Sequence, residues 1–184
     1  MLRGELTGLR ARRPGDAEIL HAELYDDVET RVRADSRPWV PIPSGPASPF
    51  WAAGAAGAAG ASQDGDAAVF SIVELATGEL AGDTLLWDID PHNRSAHVGI
   101  SLRPACRGRG LGTDAVLVLC RYAFAIRGLH RLQLETLADN EAMIRVAQQA
   151  GFTREGVTRG SDWVNGAFAD GVIFGLLDSD RPGT

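Results

Sequence analysis

The sequence predicts a single α/β domain, with a mixed, mostly antiparallel sheet and helices on both faces. Three observations predict it. The chain has 184 residues, enough for one self-sufficient core. Its composition, 45% hydrophobic and 23% charged, is ordinary for a globular protein. Its periodicities follow the order strand, helix, long loop, three strands, helix, strand, helix, two strands.

The elements follow in turn. Residues 6–12 alternate and read as the first strand. Pro14-Gly15-Asp16 is a turn, with Asp16 as the expected N-cap of an amphipathic helix over 17–30. Ala17, Leu20, Leu24 and Val28 carry the helical stripe. Residues 36–66 are expected as a flexible inserted loop. Pro38, Pro41, Pro43, Pro46 and Pro49 exclude regular structure, and an Ala-Ala-Gly repeat over 51–61 follows. Trp39, Phe50 and Trp51 suit either a substrate-facing flap or an insertion packed on the core.

Residues 69–75, 80–88 and 96–102 form an antiparallel meander with turns at Thr77-Gly78 and Pro91-His92-Asn93. The strongest helix spans 111–127. Leu111, Ala115, Val118, Leu119, Tyr122, Ala123 and Ile126 form its stripe, and Gly128 stops it. Residues 130–137 alternate as a strand, and 140–150 form a short helix ended by Gly151. The strands 152–158 and 168–177 close the domain around Asn165-Gly166.

A net charge of −6 argues against a general nucleic-acid or anionic-membrane binder. Two cysteines, Cys106 and Cys120, build neither a disulfide scaffold nor a zinc ribbon, and no metal site is expected. No apolar run approaches the roughly 20 residues of a membrane-spanning helix. Residues 1–13 lack the apolar core of a secretory signal, so a cytoplasmic, soluble protein is expected. All 18 basic residues are arginine, which excludes lysine chemistry.

The informative stretch runs Leu102-Arg103-Pro104-Ala105-Cys106-Arg107-Gly108-Arg109-Gly110-Leu111-Gly112-Thr113, from a strand into the best helix. Glycines let the backbone approach a ligand closely, and a helix start carries roughly half a positive charge. Such a place binds phosphate, and Arg103, Arg107 and Arg109 add guanidinium groups suited to it. Two ligand classes fit. One is a nicotinamide dinucleotide. Gly110-x-Gly112-x-x-Ala115 matches its fingerprint formally, and Glu135 at a strand end stands in for the ribose acid. Against it, Pro104 and a polar loop separate strand from glycines, and only 49 residues follow Glu135. The other class is coenzyme A.

Arg107-x-x-Gly110-x-Gly112 resembles the pyrophosphate loop of the GNAT superfamily of N-acetyltransferases, and the element order agrees. Gly128-Leu129-His130-Arg131, Asn140, Ala150-Gly151-Phe152, Arg154-Glu155-Gly156 and Val164-Asn165-Gly166 with Asp170 are similar to the branch containing the RimJ/RimL-like ribosomal-protein N-terminal acetyltransferases.

The resemblance implies acetyl-CoA in a cleft between the fourth and fifth strands, with direct acetyl transfer to a primary amine. The acceptor is a protein N-terminus or a small-molecule amine. Residues Arg107, Gly108, Arg109, Gly110, Leu111, Gly112 and Thr113 would hold the pyrophosphate. Ile100, Ser101 and Leu102 would pair with the pantetheine arm, and one of their amides would polarise the thioester carbonyl. Asn140 would bond the same arm, with Arg109 or Arg145 near the 3′-phosphate. His97 and Glu135 are the candidate bases, because an amine must lose a proton to attack. Histidine changes charge near neutral pH, which suits that work. A solvent-facing strand histidine and a glutamate paired with arginine are the plainer readings of these two. Asp83, Trp87 and Asp88 are candidates to face the acceptor, although burial in the core is expected for Trp87. Asp26, Asp27 and Glu29 form an acidic cluster that either draws cationic acceptors or is a solvated helix face.

One departure matters. Relatives place Ser or Tyr where Met143 and Ala147 stand, to protonate the leaving thiolate. Either water does this, the thiolate leaves unprotonated, or catalysis is weak. A non-catalytic acyl-CoA sensor is therefore the alternative function. Monomer and homodimer are both open.

Overall fold

Strand periodicity near the start yields a short hairpin, β1 (Leu2–Arg3) and β2 (Thr7–Arg10), where one strand is expected. The protein is seen as a computed structural model, which describes residues 1–35, 37–51 and 67–180. The expected meander follows as β3 (Ala68–Glu74), β4 (Leu80–Asp90) and β5 (Ser95–Leu102), all antiparallel. Strands β6 (Arg131–Leu137), β7 (Thr153–Val164) and β8 (Ala167–Leu177) complete one 8-stranded sheet, ordered β1-β2-β3-β4-β5-β6-β8-β7. Among the described residues only β5 and β6 run parallel. Because β1 is extra, they are the fourth and fifth strands of the sequence reading.

The helices are α1 (Pro14–Leu20), α2 (Val28–Ala34), α3 (Leu111–Arg121) and α4 (Glu141–Gln149). The helix expected over 17–30 is interrupted. Its last turn, His21–Tyr25, is π-helical, and the chain breaks at Asp26-Asp27 before α2. A wider turn shifts the helical register, which the Leu24–Val28 spacing does not reveal. Asp16 is not the N-cap; Arg13 holds that position. The Asp16 carboxylate accepts from the Arg13 amide at 2.8 Å, from both ends of the Arg10 guanidinium and from the Ser71 hydroxyl. A second π-turn, Tyr122–Ile126, follows α3.

Adjacent residues of β3 show where the layers lie. Ser71 bonds to Asp16 of α1, while Ile72 is buried in the cluster that contains α3. Successive strand residues point to opposite faces, so helices cover both. The larger cluster joins Val116 and Leu119 of α3 to Leu86, Leu132, Leu134 and Phe174 of the sheet. The smaller one joins Leu20, Leu24, Tyr25, Phe50 and Leu80.

Residues 37–51 therefore do not form a free flap. Phe50 is buried and Trp39 packs beside it, because each finds a polar anchor. The Trp39 indole N–H donates to the Tyr25 carbonyl at 3.0 Å, and Arg12 donates to the Phe50 carbonyl at 3.0 Å. Trp51 is exposed, and residues 52–66, with the rest of the Ala-Ala-Gly repeat, lie outside the described residues. Asn165 and Gly166 both have positive φ, 48° and 88°, as a tight hairpin turn requires. Among the described residues no helix is long and apolar enough to cross a membrane.

Candidate active site

The site begins where the sheet splits. Parallel pairing of β5 with β6 covers only Ser95–His97 against Arg131–Gln133. Beyond it the strands diverge: β5 continues with β4 alone to Leu102, and β6 continues with β8 alone to Leu137. Among the described residues nothing pairs with the β5 edge over 98–102. Ile100 and Leu102 pack part-buried on the main core, and Ser101 is half-buried opposite Asp83 of β4.

The glycine loop closes one end of the split. Gly108 and Gly110 have φ of 71° and 79°, a conformation that a side chain would strain. Gly110 is the N-cap of α3, so it offers that helix no side-chain acceptor. Among the described residues the backbone N–H groups from Gly108 through Thr113 find no acceptor in the chain. Asp114 does not supply one either; its carboxylate turns outward to Glu5, Leu6 and Thr7. A row of free amides at a helix start is an anion site.

The three arginines divide. Arg103 is committed to Glu23, at 2.9 Å and 2.5 Å, and to the Leu80 carbonyl. Arg109 pairs with Glu74 at 2.5 Å. Arg107 folds back, its Nε donating to the Leu102 carbonyl at 3.0 Å, and its terminal nitrogens meet no acceptor among the described residues. Arg145 pairs with Glu141 one turn away. Thus Arg107 alone of the four is left to meet an anion at the loop, whereas Arg109 and Arg145, the sequence candidates for the 3′-phosphate, sit in ion pairs.

Asn140 stands at the far side of the split as the N-cap of α4. Its Oδ1 accepts from the Met143 amide at 3.2 Å, and its Nδ2 donates to the Thr136 hydroxyl at 3.0 Å. One Nδ2 hydrogen stays available to a ligand. Thr113 bridges the two helices by donating to Gln149 at 2.9 Å. Met143 is part-buried on the core and Ala147 fully buried, so neither position holds a proton donor.

On the face away from α3, His97 meets Glu135 across the last parallel pair. Its Nδ1 lies 3.9 Å from a Glu135 oxygen and its Nε2 3.9 Å from an Asp88 oxygen. Gln133 donates to the same Glu135 oxygen at 2.7 Å. The His97 ring lies against Trp87, centroids 4.3 Å apart and planes tilted by 34°. Trp87 corrects the sequence expectation of burial: it is 41% exposed. Alternation puts the ring on the open face: Leu86 points into the α3-side core, and Trp87, in register opposite His97, points the other way before the strand breaks register. Asp83 is fully enclosed, paired with Arg12 at 2.7 Å, and is not available to an acceptor. Burial pushes its carboxyl up, against the pull of Arg12.

Sequence reasoning missed the arm above this face. Asp27 caps α2 at Thr30, and that bond holds its carboxyl below the usual range, with help from the nearby Arg107. At the other end of α2, Arg33 pairs with Asp139 at 2.7 Å, next to Asn140. Helix α2 thus crosses the mouth of the split from the glycine loop to α4. The cue in the sequence is Asp26-Asp27, which the sequence reading takes only as part of an acidic cluster that draws cationic acceptors or is a solvated helix face.

A sheet split between parallel strands, with a glycine loop and an uncapped helix start at the split, defines an acetyltransferase-type domain. The chain belongs to the GNAT acetyltransferase family, whose domain model matches residues 7–153. Among curated relatives, the probable N-acetyltransferase YjcK of Bacillus subtilis is 33% identical over 87 residues, covering 47% of this chain and 48% of that protein. The chain spans about half the length of several curated relatives it matches. Among solved structures, Mycobacterium smegmatis RimJ in complex with CoA-disulfide has a TM-score of 0.81 at 22% identity, over 97% of this chain and 85% of that one. The spermidine N-acetyltransferase of Vibrio cholerae, in complex with CoA and spermine, has a TM-score of 0.78 at 21% identity, over 95% and 97%. At such identity the structures speak for the fold.

Proposed function

We propose that this protein transfers an acetyl group from acetyl-CoA to a primary amine, and acts in the cytoplasm. One observation carries the reading: among the described residues the β5 edge over 98–102 is unpaired, and after one short turn at Pro104–Cys106 the chain offers the unmatched amides of Gly108 to Thr113. An extended amide-bearing arm ending in a diphosphate fits that pair of surfaces, the arm as an added strand and the diphosphate on the helix start. Beside the cradle, the carboxylates of Glu74 and Glu23 are matched by Arg109 and Arg103. The buried cysteines Cys106 and Cys120 suit a reducing compartment.

Acetyl-CoA supplies an activated acetyl thioester. The chain's part is to bind, orient and move protons. An amide of Ile100, Ser101 or Leu102 donates to the thioester carbonyl and stabilises charge growing on that oxygen. His97, held between Trp87, Glu135 and Asp88, takes the proton of the attacking amine, directly or through one water. The C–N bond forms, the C–S bond breaks, and the departing thiolate takes a proton from solvent. Asn140 and Arg107 steady the arm and the diphosphate.

The apolar Met143 and Ala147 favour a second reading, an acyl-CoA sensor without turnover. One experiment separates the two. Acetyl-CoA binding is measured by calorimetry, and release of free CoA is followed across a panel of primary amines. Binding with turnover is expected. Binding without any CoA release supports the sensor, and absence of binding removes both readings.

A further inference from the structure

Glu74 is an acid in an unexpected place. It ends β3 and reaches the glycine loop through a single side chain, Arg109. A carboxylate beside a diphosphate site repels the anion, so charge alone would leave this position to a neutral residue. Yet the Glu74 side chain is only 11% exposed, and both of its oxygens are engaged. Oε1 accepts from the Arg109 guanidinium at 2.5 Å, and Oε2 accepts from the Thr77 hydroxyl at 3.3 Å. The backbone behind it is pinned as well. Glu74 stands in register with Thr7 of β2, its amide donates to the Glu79 carbonyl at 2.9 Å, and its carbonyl accepts from Gly78 at 2.8 Å.

Arg109, at the other end of the pair, lies between Gly108 and Gly110, whose φ angles are 71° and 79°. Glycine loses more conformational freedom on ordering than any other residue, so this stretch is costly to hold in one shape. Its flanks are tied: Arg107 donates to the Leu102 carbonyl, and the Gly110 carbonyl accepts from the Asp114 amide. Between them, the backbone of Gly108 and Arg109 bonds to nothing in the chain among the described residues. Packing does not hold Gly108 either, since no described atom lies within 4 Å of where its side chain would begin. The Arg109 side chain is the tie that leaves the middle of this span and reaches the sheet. As a half-exposed ion pair it adds little to the stability of the fold; what it supplies is a fixed position.

We propose that Glu74 is a positioning residue for the diphosphate loop. Acting through Arg109, it orders the backbone over 108–110, so that the amides stand in place before the ligand arrives. This inference rests on the acetyl-CoA reading. The ordering outweighs the repulsion between carboxylate and diphosphate. Removing the charge of Glu74 therefore weakens binding, opposite to the sign that charge alone predicts. The effect acts on the diphosphate, so it does not depend on the 3′-phosphate.

Calorimetry on the full chain tests this with CoA and with dephospho-CoA, which lacks the 3′-phosphate. The proteins are wild type, Glu74→Ala, Glu74→Gln, Arg109→Ala and the double variant Glu74→Ala with Arg109→Ala. Glu74→Ala should weaken both ligands by about tenfold, the backbone entropy of one freed residue. Glu74→Gln, which keeps an acceptor for Arg109, should weaken both by less. Added to Arg109→Ala, Glu74→Ala should change little, because it acts through that side chain. With an amine as acceptor, the loss should fall on KM for acetyl-CoA and not on KM for the amine. Tighter or unchanged binding in Glu74→Ala overturns the proposal; if that variant does not fold, the same outcome in Glu74→Gln does so. A loss confined to CoA overturns it by moving the role of Glu74 to the 3′-phosphate. A loss undiminished in the Arg109→Ala background, or an equal rise in KM for the amine, overturns it as well. If wild type binds neither ligand, the acetyl-CoA reading fails and this inference with it; if wild type binds and the Glu74 variants match it, the inference alone fails.

Discussion

Thr7 gives both of its hydrogens to one oxygen of Asp114, its amide at 2.7 Å and its hydroxyl at 2.5 Å. Asp114 lies in the first turn of α3, where an acid usually serves its own helix. Here the amides of Glu5 and Leu6 join Thr7 on the same carboxylate, across 107 to 109 positions of sequence. The result is twofold: the β1–β2 turn is tied to the central helix, and that helix keeps its free amides for the split.

Asp114→Ala is therefore expected to lower the melting temperature, by about 1–3 kcal/mol of stability if the turn's amides are left unmatched. Burial pushes the Asp114 carboxyl up, while Thr7, Glu5 and Leu6 outweigh it and hold it below its ordinary range. A depressed carboxyl stabilises the fold above its unfolded pKa and loses that contribution as pH falls. Thermal melts of wild type and variant at neutral pH and at pH 3 check this. The gap should narrow at the lower pH, and an unchanged melt at neutral pH would show that the Gly4–Thr7 backbone bond suffices.

Asp16 carries a larger pH effect. Burial opposes its charge, but Arg10, the Arg13 amide and Ser71 pull its carboxyl from 3.8 down to about 2. The stability it contributes is complete above pH 4 and is lost as pH falls toward 2. Asp16→Asn should cost roughly 2 kcal/mol at neutral pH, the scale of a charge-assisted bond lost, and should flatten the acid limb of the stability curve. A curve of unchanged shape would reject the assignment.

Much of this was legible because it is local. The glycine loop, the meander and the Asn165-Gly166 turn are written in short stretches whose backbone demands only certain residues. The break at Asp26-Asp27 was not, since a π-turn leaves the apolar stripe of α1 looking continuous. The role of Asp16 depends on Arg10 and Ser71, and the exposure of Trp87 on which face of β4 the helices leave open.

The loop itself makes a sharp prediction. At φ 79°, Gly110 cannot take a β-branched residue without moving the backbone, and a Cβ there would meet Leu6 at 3.3 Å. Gly110→Val should therefore displace the amides and remove measurable acetyl-CoA binding in calorimetry, with a melting temperature lowered by only a few degrees. Retained affinity would count heavily against the loop as the diphosphate site.

Arg12 and Asp83 form a pair whose side chains are 5% and 10% exposed. Arg12 also stacks over the Phe50 ring at 5.5 Å and holds the Phe50 carbonyl, so it clasps residues 37–51 to the sheet. Removing one member strands a buried charge. Arg12→Leu should cost about 3–5 kcal/mol, and the double change Arg12→Leu with Asp83→Leu should cost less than the single one. Chemical denaturation of wild type, the two single variants and the double variant tests this; a double variant as weak as the sum of the singles would show that the pair is not coupled.

His97 and Glu135 separate chemistry from binding. Neither is placed to touch a diphosphate at the glycine loop, and both face the open side of the split beside Trp87. If His97 takes the amine's proton, His97→Ala should lower kcat by about a hundredfold, the scale of general-base catalysis, with little change in the KM for acetyl-CoA. Glu135→Gln keeps the shape but removes the charge 3.9 Å from the ring. It should lower kcat less, because the ring keeps its place against Trp87. A His97→Ala enzyme with the wild-type rate would return the ring to a bystander of the sheet. A Glu135→Gln enzyme with the wild-type kcat would detach the two residues from each other.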